Sequence, residues 1–246
     1  MKTLALIPAR MGSSRFPGKP MAKILGKPMI GHVYERTLDS NLLDLVAVAT
    51  CDKEIYDYIE SIGGTAVMTS NKHVRATDRC AEALITLEKK YKTTYDIVLM
   101  VQGDEPMLDP DMIHEALYPF KDNNVQVVNL LGDIKDISEF EDRNCIKVVC
   151  DLKSDAMYFS RNPIPTTFFS NDIPMKKQVC IIPFRRDFLM EYTAMKPTPL
   201  EIAESIDMMR IIENGLKVRM SPTKYQSQSV DTIEDLKKVE QLMKKS

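Results

Sequence analysis

The chain has 246 residues and a formal net charge of −2, with 44% hydrophobic and 28% charged residues. This balance is typical of a globular protein long enough for one large α/β domain, here expected to span residues 1–246. The near-neutral charge, the 7% aromatic content and the lack of tryptophan argue against a nucleic-acid-binding protein. No apolar run approaches the ~20 residues of a membrane span, so no membrane partner is expected.

The cysteine and histidine content indicates which compartment the protein occupies and which metal sites it can form. The five cysteines have no CxxC spacing and only three histidines are present, which argues against a disulfide framework and against a zinc or histidine-rich centre. The chain also begins directly with a predicted strand, so a secretory signal is not expected. We therefore predict a cytoplasmic protein.

A basic loop, rich in small residues, follows the first predicted strand. The apolar run 4–7 predicts a buried strand, and the segment 8–20 then reads Pro-Ala-Arg-Met-Gly-Ser-Ser-Arg-Phe-Pro-Gly-Lys-Pro. Its small residues let backbone N–H groups approach a ligand closely, and Arg10, Arg15 and Lys19 add positive charge. The combination predicts a site for a polyphosphate.

Two known phosphate loops do not match this segment. Five residues separate Gly12 from Gly18, where a P-loop has four, and Pro20 replaces its magnesium-binding hydroxyl. The dinucleotide pattern Gly-x-Gly-x-x-Gly is absent as well. An ordinary exposed basic loop is the alternative interpretation.

The following segments alternate helices with strands. Helices are predicted over 29–38 and 54–62, and strands over 45–49 and 66–68. This rhythm predicts an α/β fold with a doubly wound, mostly parallel sheet, which binds its ligand at the carboxyl ends of the strands.

The segment 73–79 leads into another predicted helix. Thr77 or Asp78 would simply cap the helix in one interpretation. In the other, Thr77, Asp78 and Arg79 use the same helix N-terminus to hold ribose or phosphate.

An acidic turn follows the next predicted strand, 96–101. Gly103 permits a tight bend there, and Asp104 and Glu105 emerge at the carboxyl end of the strand. Carboxylates in this position suit Mg²⁺, which prefers oxygen ligands and often takes further ones from phosphates. A surface acidic turn is the alternative.

The second half of the chain departs from the α/β rhythm. Alternation over 145–150 and 156–159 predicts an antiparallel hairpin, and 178–183 predicts a further strand. We expect a β-rich extension at roughly 145–183 that carries acceptor binding and a dimer interface. One helix is predicted over 200–214, and Thr232 and Asp235 form a cap for the terminal helix.

These motifs together resemble a known family. The loop 8–20 is similar to the signature loop of sugar-acid cytidylyltransferases, and of the 3-deoxy-manno-octulosonate (Kdo) cytidylyltransferases in particular. The acidic turn, the Ser-Arg-x-Pro-Ile-Pro segment at 160–165 and the Val-Asp-Thr segment at 230–232 agree with that family. The resemblance spans nearly the whole chain and implies a nucleotide-diphospho-sugar transferase-like, Rossmann-like fold in a single nucleotidyltransferase domain.

The resemblance implies CTP-dependent activation of an anionic sugar acid for bacterial surface polysaccharide, with Mg²⁺ as cofactor, pyrophosphate as product and a homodimer as the assembly. It implies these nucleotide-binding residues: Ala9, Arg10, Gly12, Ser13, Arg15, Lys19, Thr77, Asp78, Arg79, Gln102 and Gly103. The residues expected to drive catalysis are Arg10, Arg15, Lys19 and Asp104. The magnesium ligands would be Asp104 and Asp231. The acceptor-binding residues would be Gln102, Arg161, Gln178 and Asp207. A salt-bridging role for Arg161 within its proline-fixed loop, and a non-catalytic nucleotide-binding protein, are the alternatives.

The chain departs from the family pattern in two places. Arg75 and Ala76 replace a Ser-Gly pair, which removes a hydroxyl and a flexible backbone position from the expected nucleotide contacts. Gln178, Ile182 and Met208 replace a His, a Tyr and a Gln that would bind a hydroxylated acceptor. We therefore hypothesise that the preferred acceptor is not Kdo itself but an amino or deoxy relative, or another small carboxylate or phosphate. Sequence drift around an unchanged Kdo site is the alternative.

Overall fold

The structure is a computed structural model that describes residues 1–13, 15–167 and 175–244, so Ser14 of the basic loop lies outside the described residues. The strands are β1 Thr3–Ala9, β2 Lys23–Ile24, β3 Lys27–Pro28, β4 Leu45–Thr50, β5 Ala66–Met68, β6 Ile97–Val101, β7 Val128–Asp133, β8 Lys147–Cys150, β9 Ala156–Ser160, β10 Lys176–Val179, β11 Ile181–Arg185 and β12 Arg219–Pro222. The helices are α1 Met29–Leu38, α2 Lys53–Ser61, α3 Ala76–Tyr91, α4 Pro110–Leu117, α5 Ile137–Glu141, α6 Arg186–Ala194, α7 Pro199–Glu204, α8 Met208–Glu213 and α9 Ile233–Met243.

The main sheet has the strand order β11-β6-β1-β4-β5. Strand β1 pairs in parallel with β4 and β6, β4 pairs in parallel with β5, and the edge strand β11 runs antiparallel to β6. The chain first builds outward from β1 to β5 and then returns to add β6 on the opposite side of β1. This order confirms the predicted α/β fold with a doubly wound, mostly parallel sheet.

The two faces of this sheet carry separate apolar clusters. Helices α3 and α6 pack on one face, through residues such as Leu84 and Phe188. Helices α1, α2 and α4 pack on the other, through residues such as Val33, Ile55 and Ile113. Every residue of β1 and β6 is buried, as expected for strands covered on both faces.

A second sheet has the order β12-β7-β10-β8-β9. Strands β8 and β9 form the predicted antiparallel hairpin. The predicted extension at 145–183 differs in extent from this sheet, because β7 and β12 join it from outside that range. Strand β11, predicted as part of the extension, belongs to the main sheet instead.

Two predicted elements are divided in the structure. The predicted strand 178–183 breaks at Cys180, where the chain passes from the second sheet to the main sheet. The predicted helix 200–214 breaks at Ser205, whose φ of 54° is left-handed and therefore incompatible with a continuing right-handed helix. Since neither break contains Gly or Pro, the sequence pattern did not reveal them.

Among the described residues, no helix has both the length and the apolar character that crossing a bilayer requires.

A buried ion pair joins helices α7 and α8 across the break at Ser205. In Arg210, Nε and Nη2 donate to the two carboxylate oxygens of Glu201 at 2.7 and 2.6 Å, and the side chains are 4% and 0% exposed. Burial alone would raise the pKa of Glu201, but hydrogen bonds from Arg210 and from the backbone N–H of Thr198 outweigh it and lower this pKa. The pair therefore stabilises the fold above the ordinary carboxyl range, and its contribution is lost as pH falls below it.

We predict that Arg210→Met lowers the free energy of unfolding at pH 7 by about 3–5 kcal/mol, because it removes the two hydrogen bonds and the nearest positive charge from a buried carboxylate. Chemical denaturation measures the loss, and the matched control Lys53→Ala, which breaks an exposed pair with Asp57, should change little. The difference between wild type and Arg210→Met should shrink as the pH is lowered and Glu201 becomes protonated. Equal effects of the two substitutions would contradict this role of the pair.

Candidate active site

The sheet order brings the basic loop and the acidic turn together. Strands β1 and β6 are neighbours at the point where the strand order reverses, so the segments after Ala9 and Val101 leave the sheet side by side. A Cβ atom on Gly103 would lie 2.9 Å from the carbonyl oxygen of Pro8. Glycine at position 103 therefore lets the acidic turn approach the backbone of β1.

The basic loop is held by backbone hydrogen bonds and by one carboxylate. The N–H of Met11 donates to Oδ2 of Asp52, which follows β4, at 2.8 Å. The N–H groups of Ser13 and Gly18 both donate to the carbonyl of Met11 at 3.0 Å. Gly18 has a φ of 74°, a conformation that favours glycine. The loop thus returns on itself and delivers Lys19 to the carboxyl ends of the strands.

Lys19 joins the two carboxylates that were predicted to bind metal. Its Nζ donates to Oδ2 of Asp104 at 2.7 Å, to Oδ1 of Asp231 at 3.3 Å and to the carbonyl of Val230 at 2.7 Å. Burial alone would lower the pKa of Lys19, but the two carboxylates outweigh it and raise this pKa. Lys19 is therefore a fully charged ammonium at neutral pH.

Arg15 gives Asp231 a second positive neighbour. Its Nη2 lies 2.9 Å from Oδ1 of Asp231, while Nη1 donates to Oδ1 of Asn144. Helix α9 begins just after Asp231, and its predicted cap is confirmed, because Oγ1 of Thr232 accepts from the N–H of Asp235. The cap leaves the carboxylate of Asp231 available to the two cations.

These segments border a cleft with a volume of about 290 Å³. The predicted nucleotide-binding residues that line it are Ala9, Arg10, Gly12, Ser13, Arg15, Lys19, Arg79, Gln102 and Gly103. Arg10 is exposed. The backbone N–H of Gln102 donates to the carbonyl of Cys180 at 3.1 Å, which links the turn to the residue between β10 and β11.

Of the three nucleotide-binding residues predicted at the N-terminus of α3, only Arg79 lines the cleft. Arg79 is buried, its Nη1 donates to Oγ1 of Thr69, and its Nη2 has no partner among the described residues. Thr77 is fully buried, and its hydroxyl donates to Oδ2 of Asp207 at 3.4 Å. Neither Thr77 nor Asp78 lines the cleft. Their predicted capping role is not observed, because the N-cap residue is Arg75 and no side chain caps the helix.

The predicted acceptor residues occupy different environments. Gln102 lines the cleft, whereas Gln178 lies on β10 and donates to the side chain of Asn129. Asp207 accepts from Arg75, and Arg161 donates to backbone carbonyls near α7. Of these four side chains, only Gln102 belongs to the cleft itself.

Two positions that depart from the family pattern belong to the core. Ile182 on β11 is 3% exposed and Met208 on α8 is fully buried, and both pack in the apolar cluster beneath α3 and α6. The structure thus accommodates these two replacements as packing residues.

Glu105, predicted beside Asp104 in the acidic turn, turns away from the cleft. It is buried and accepts a hydrogen bond from the hydroxyl of Ser227. Burial and the neighbouring charge of Asp104 raise its pKa to about 7. Only Asp104 of this pair faces the basic loop.

Sequence reasoning missed several residues that build the site. Asp52 holds the basic loop, Asn144 holds Arg15, and Arg75 lines the cleft while it pairs with Asp207. The Thr-Cys-Asp run after β4 was a usable signal for Asp52, since it stands at the ligand edge of a parallel sheet.

A doubly wound sheet with a basic loop and a carboxylate turn at its reversal point is the arrangement of a nucleotidyltransferase. A family model described as cytidylyltransferase matches residues 4–241, and the chain belongs to this family. It is therefore a CTP-dependent nucleotidyltransferase, as the sequence motifs predicted.

Individual relatives are similar to the chain over its full length. The 3-deoxy-manno-octulosonate cytidylyltransferase of Geobacter metallireducens is 41% identical over 251 residues, covering 97% of this chain and 96% of that protein. The enzyme of the same name from Trichlorobacter lovleyi is 42% identical over 256 residues, covering 99% of both chains. A solved CMP:2-keto-3-deoxy-manno-octonic acid synthetase in complex with CTP has a TM-score of 0.90 and 37% identity, covering 100% of this chain and 99% of that one.

We predict that Gly103→Ala lowers the free energy of unfolding by about 1–3 kcal/mol, because its methyl group would overlap the carbonyl of Pro8 and force the backbone apart. Denaturation curves measure the effect. Gly12→Ala is the matched control for stability, since a Cβ atom there meets no other atom within 4 Å. Unchanged stability of Gly103→Ala would show that the turn does not depend on this close approach.

Proposed function

We propose that this protein transfers CMP from CTP to 3-deoxy-manno-octulosonate and releases pyrophosphate. The observation that carries the proposal is the cleft, where a basic loop and the carboxylate of Asp104 meet at the reversal point of the sheet. The name shared by the Geobacter and Trichlorobacter relatives supports this acceptor. The product would serve the synthesis of a bacterial surface polysaccharide.

The residues of the cleft suit an in-line displacement without a protein nucleophile. An oxygen of the acceptor would attack the α-phosphorus of CTP while pyrophosphate leaves. Arg10, Arg15 and Lys19 would neutralise the β- and γ-phosphates, and the backbone N–H of Gly12 would bind one of their oxygens. Positioning and charge neutralisation account for most of the rate in such a reaction.

Enzymes that transfer nucleotidyl groups from triphosphates generally use a divalent metal, and the donor set here fits Mg²⁺. Mg²⁺ is usually bound by one or two carboxylates together with phosphates and waters. Asp104 and Asp231 supply two carboxylates at one point, both within 3.3 Å of the same ammonium group. Bound Mg²⁺ would stabilise the charge on the phosphates, and Lys19 would add a further positive charge at the same point.

A second candidate acceptor is a modified ulosonic acid. The observation that favours it is the loss of polar groups at Ile182 and Met208, which are buried among apolar residues. A site that hydrogen-bonds substrate hydroxyls discriminates strongly against analogues that lack them, so the loss of such groups changes preference.

We also propose a homodimer in the cytoplasm. The second sheet ends in β9, whose Met157 is 60% exposed, and the adjoining turn exposes Leu152 fully. The cysteines are all free, which fits a reducing compartment. Light scattering of the purified protein measures the assembly.

The experiment that tests the proposed function is a pyrophosphate-release screen with CTP, Mg²⁺ and a panel of small anionic acceptors. We expect Kdo or a close ulosonic acid to give the highest kcat/KM, on the order of 10⁴ M⁻¹s⁻¹ or more. Omission of the acceptor and replacement of CTP by ATP are the controls. An absence of pyrophosphate release with every sugar acid would overturn the proposal, whereas a best acceptor other than Kdo would favour the second candidate.

We predict that Asp104→Asn and Asp231→Asn each reduce kcat by at least about 100-fold, because each removes a carboxylate that is expected to hold the metal. Titration of Mg²⁺ against activity should show a higher half-saturating concentration for any activity that remains. Circular dichroism checks that both variants are folded. Turnover at the wild-type rate by either variant in excess EDTA would contradict the assignment of Asp104 and Asp231 as metal ligands.

A further inference from the structure

Arg75 lies between the cleft and helix α8. Its Nη1 donates to Oδ1 of Asp207 at 2.9 Å, and its Nη2 lies 3.5 Å from Oε1 of Glu201. The side chain is 26% exposed, and the residue lines the cleft. Its Nε donates to no described residue, so the guanidinium group keeps N–H groups for a ligand.

The partners of Arg75 are themselves fixed. Asp207 accepts a second hydrogen bond from the buried hydroxyl of Thr77, and the hydroxyl of Tyr192 donates to its backbone carbonyl at 3.2 Å. Glu201 is held by both side-chain contacts of Arg210. The orientation of Arg75 is therefore set before a substrate arrives, which reduces the entropy lost on binding.

Arg161, the arginine predicted to meet the acceptor, is occupied by the protein itself. Its Nε, Nη1 and Nη2 donate to the carbonyls of Glu204, Arg143 and Ser205 at 2.6, 3.0 and 3.2 Å. Its own carbonyl accepts from the buried ammonium of Lys147 at 2.6 Å. Through these contacts Arg161 links the β8–β9 hairpin to α7.

We propose that Arg75 binds the carboxylate of the sugar-acid acceptor and that Asp207 positions it; this inference rests on the proposed function. A guanidinium group matches the planar geometry of a carboxylate and is charged at every physiological pH. Position 75 carries serine in the family pattern that the chain resembles, and its arginine contacts Asp207, which stands where the family's Leu-Glu-Gln-Leu-Arg segment has glutamate. The two departures thus form one unit, which supplies the acceptor side of the cleft with a cation.

The first test compares Arg75→Ala with wild type in steady-state assays in which CTP and the acceptor are varied separately. We expect KM for the sugar acid to rise roughly 10- to 100-fold, because a charge-assisted contact is lost, while KM for CTP changes less than about twofold. Lys217→Ala breaks an ion pair between Lys217, just before β12, and Asp155, just before β9; it is the matched control and should leave both constants unchanged. Thermal unfolding monitors the fold of each variant.

The second test uses inhibitors instead of turnover. A sugar-acid analogue without the attacking hydroxyl cannot be cytidylylated, and it can be prepared both as carboxylate and as carboxamide. Wild type should bind the carboxylate more tightly, and Arg75→Ala should bind the two equally. Arg75→Lys keeps the positive charge but loses the planar pair of N–H donors. Its preference for the carboxylate over the carboxamide should be intermediate between those of wild type and Arg75→Ala. This variant replaces Arg75→Ala in the test if Arg75→Ala does not fold.

The positioning role of Asp207 has its own readout. Asp207→Asn should raise KM for the acceptor with kcat nearly unchanged, and Asp207→Glu should restore part of the affinity. A purely structural role would instead lower thermal stability without changing the ratio of carboxylate to carboxamide binding.

The outcomes separate the two proposals. An active wild type whose KM for the sugar acid is unaffected by Arg75→Ala, or a change confined to KM for CTP, overturns the assignment of Arg75 alone. A wild type that releases no pyrophosphate with any sugar acid overturns the proposed function and the assignment with it.

Discussion

The ammonium group of Lys19 is the point where three distant parts of the chain meet. It contacts Asp104 from the turn after β6 and both Val230 and Asp231 from the segment before α9. Two carboxylates that share one ammonium group repel each other, and the positive charge of Lys19 between them offsets this repulsion. In the proposed function, the same balance would suit a substrate of high negative charge that binds together with a metal ion. Any rearrangement that moves Lys19 toward phosphate requires another cation to take its place between the carboxylates.

Backbone geometry allows the basic loop and the acidic turn to reach each other. The basic loop can cross the ends of the strands because Gly18 adopts a left-handed conformation and Asp52 holds the N–H of Met11. The acidic turn can approach β1 because Gly103 has no side chain. These requirements concern particular residues at fixed positions, and they leave a recognisable pattern in the sequence.

The fold and the meeting of the basic loop with the acidic turn could be predicted for that reason. The buried strands β1 and β6 are continuous apolar runs, and the residues that bind charge follow them directly. The pair between Arg75 and Asp207 could not be predicted in the same way, because it joins residues 132 positions apart, one just before α3 and the other just before α8. The division of helix 200–214 was not predicted either. Ser205 adopts a left-handed conformation there, and serine gives no signal for such a conformation in the sequence.

The acceptor side follows a different physical logic from the nucleotide side. In the proposed function, phosphate binding would depend on the backbone and on several cations of the basic loop. Acceptor binding depends on individual side chains, and a buried position can change from a polar contact to core packing without disturbing the sheet. Ile182 and Met208 are fully integrated in the apolar cluster, so hydroxyl recognition cannot come from these positions. A charged contact tolerates such losses better than a set of neutral hydrogen bonds, because one guanidinium–carboxylate pair is worth roughly two neutral bonds. In the proposed assignment, the arginine at position 75 would therefore let an acceptor site with fewer polar groups still hold a sugar acid.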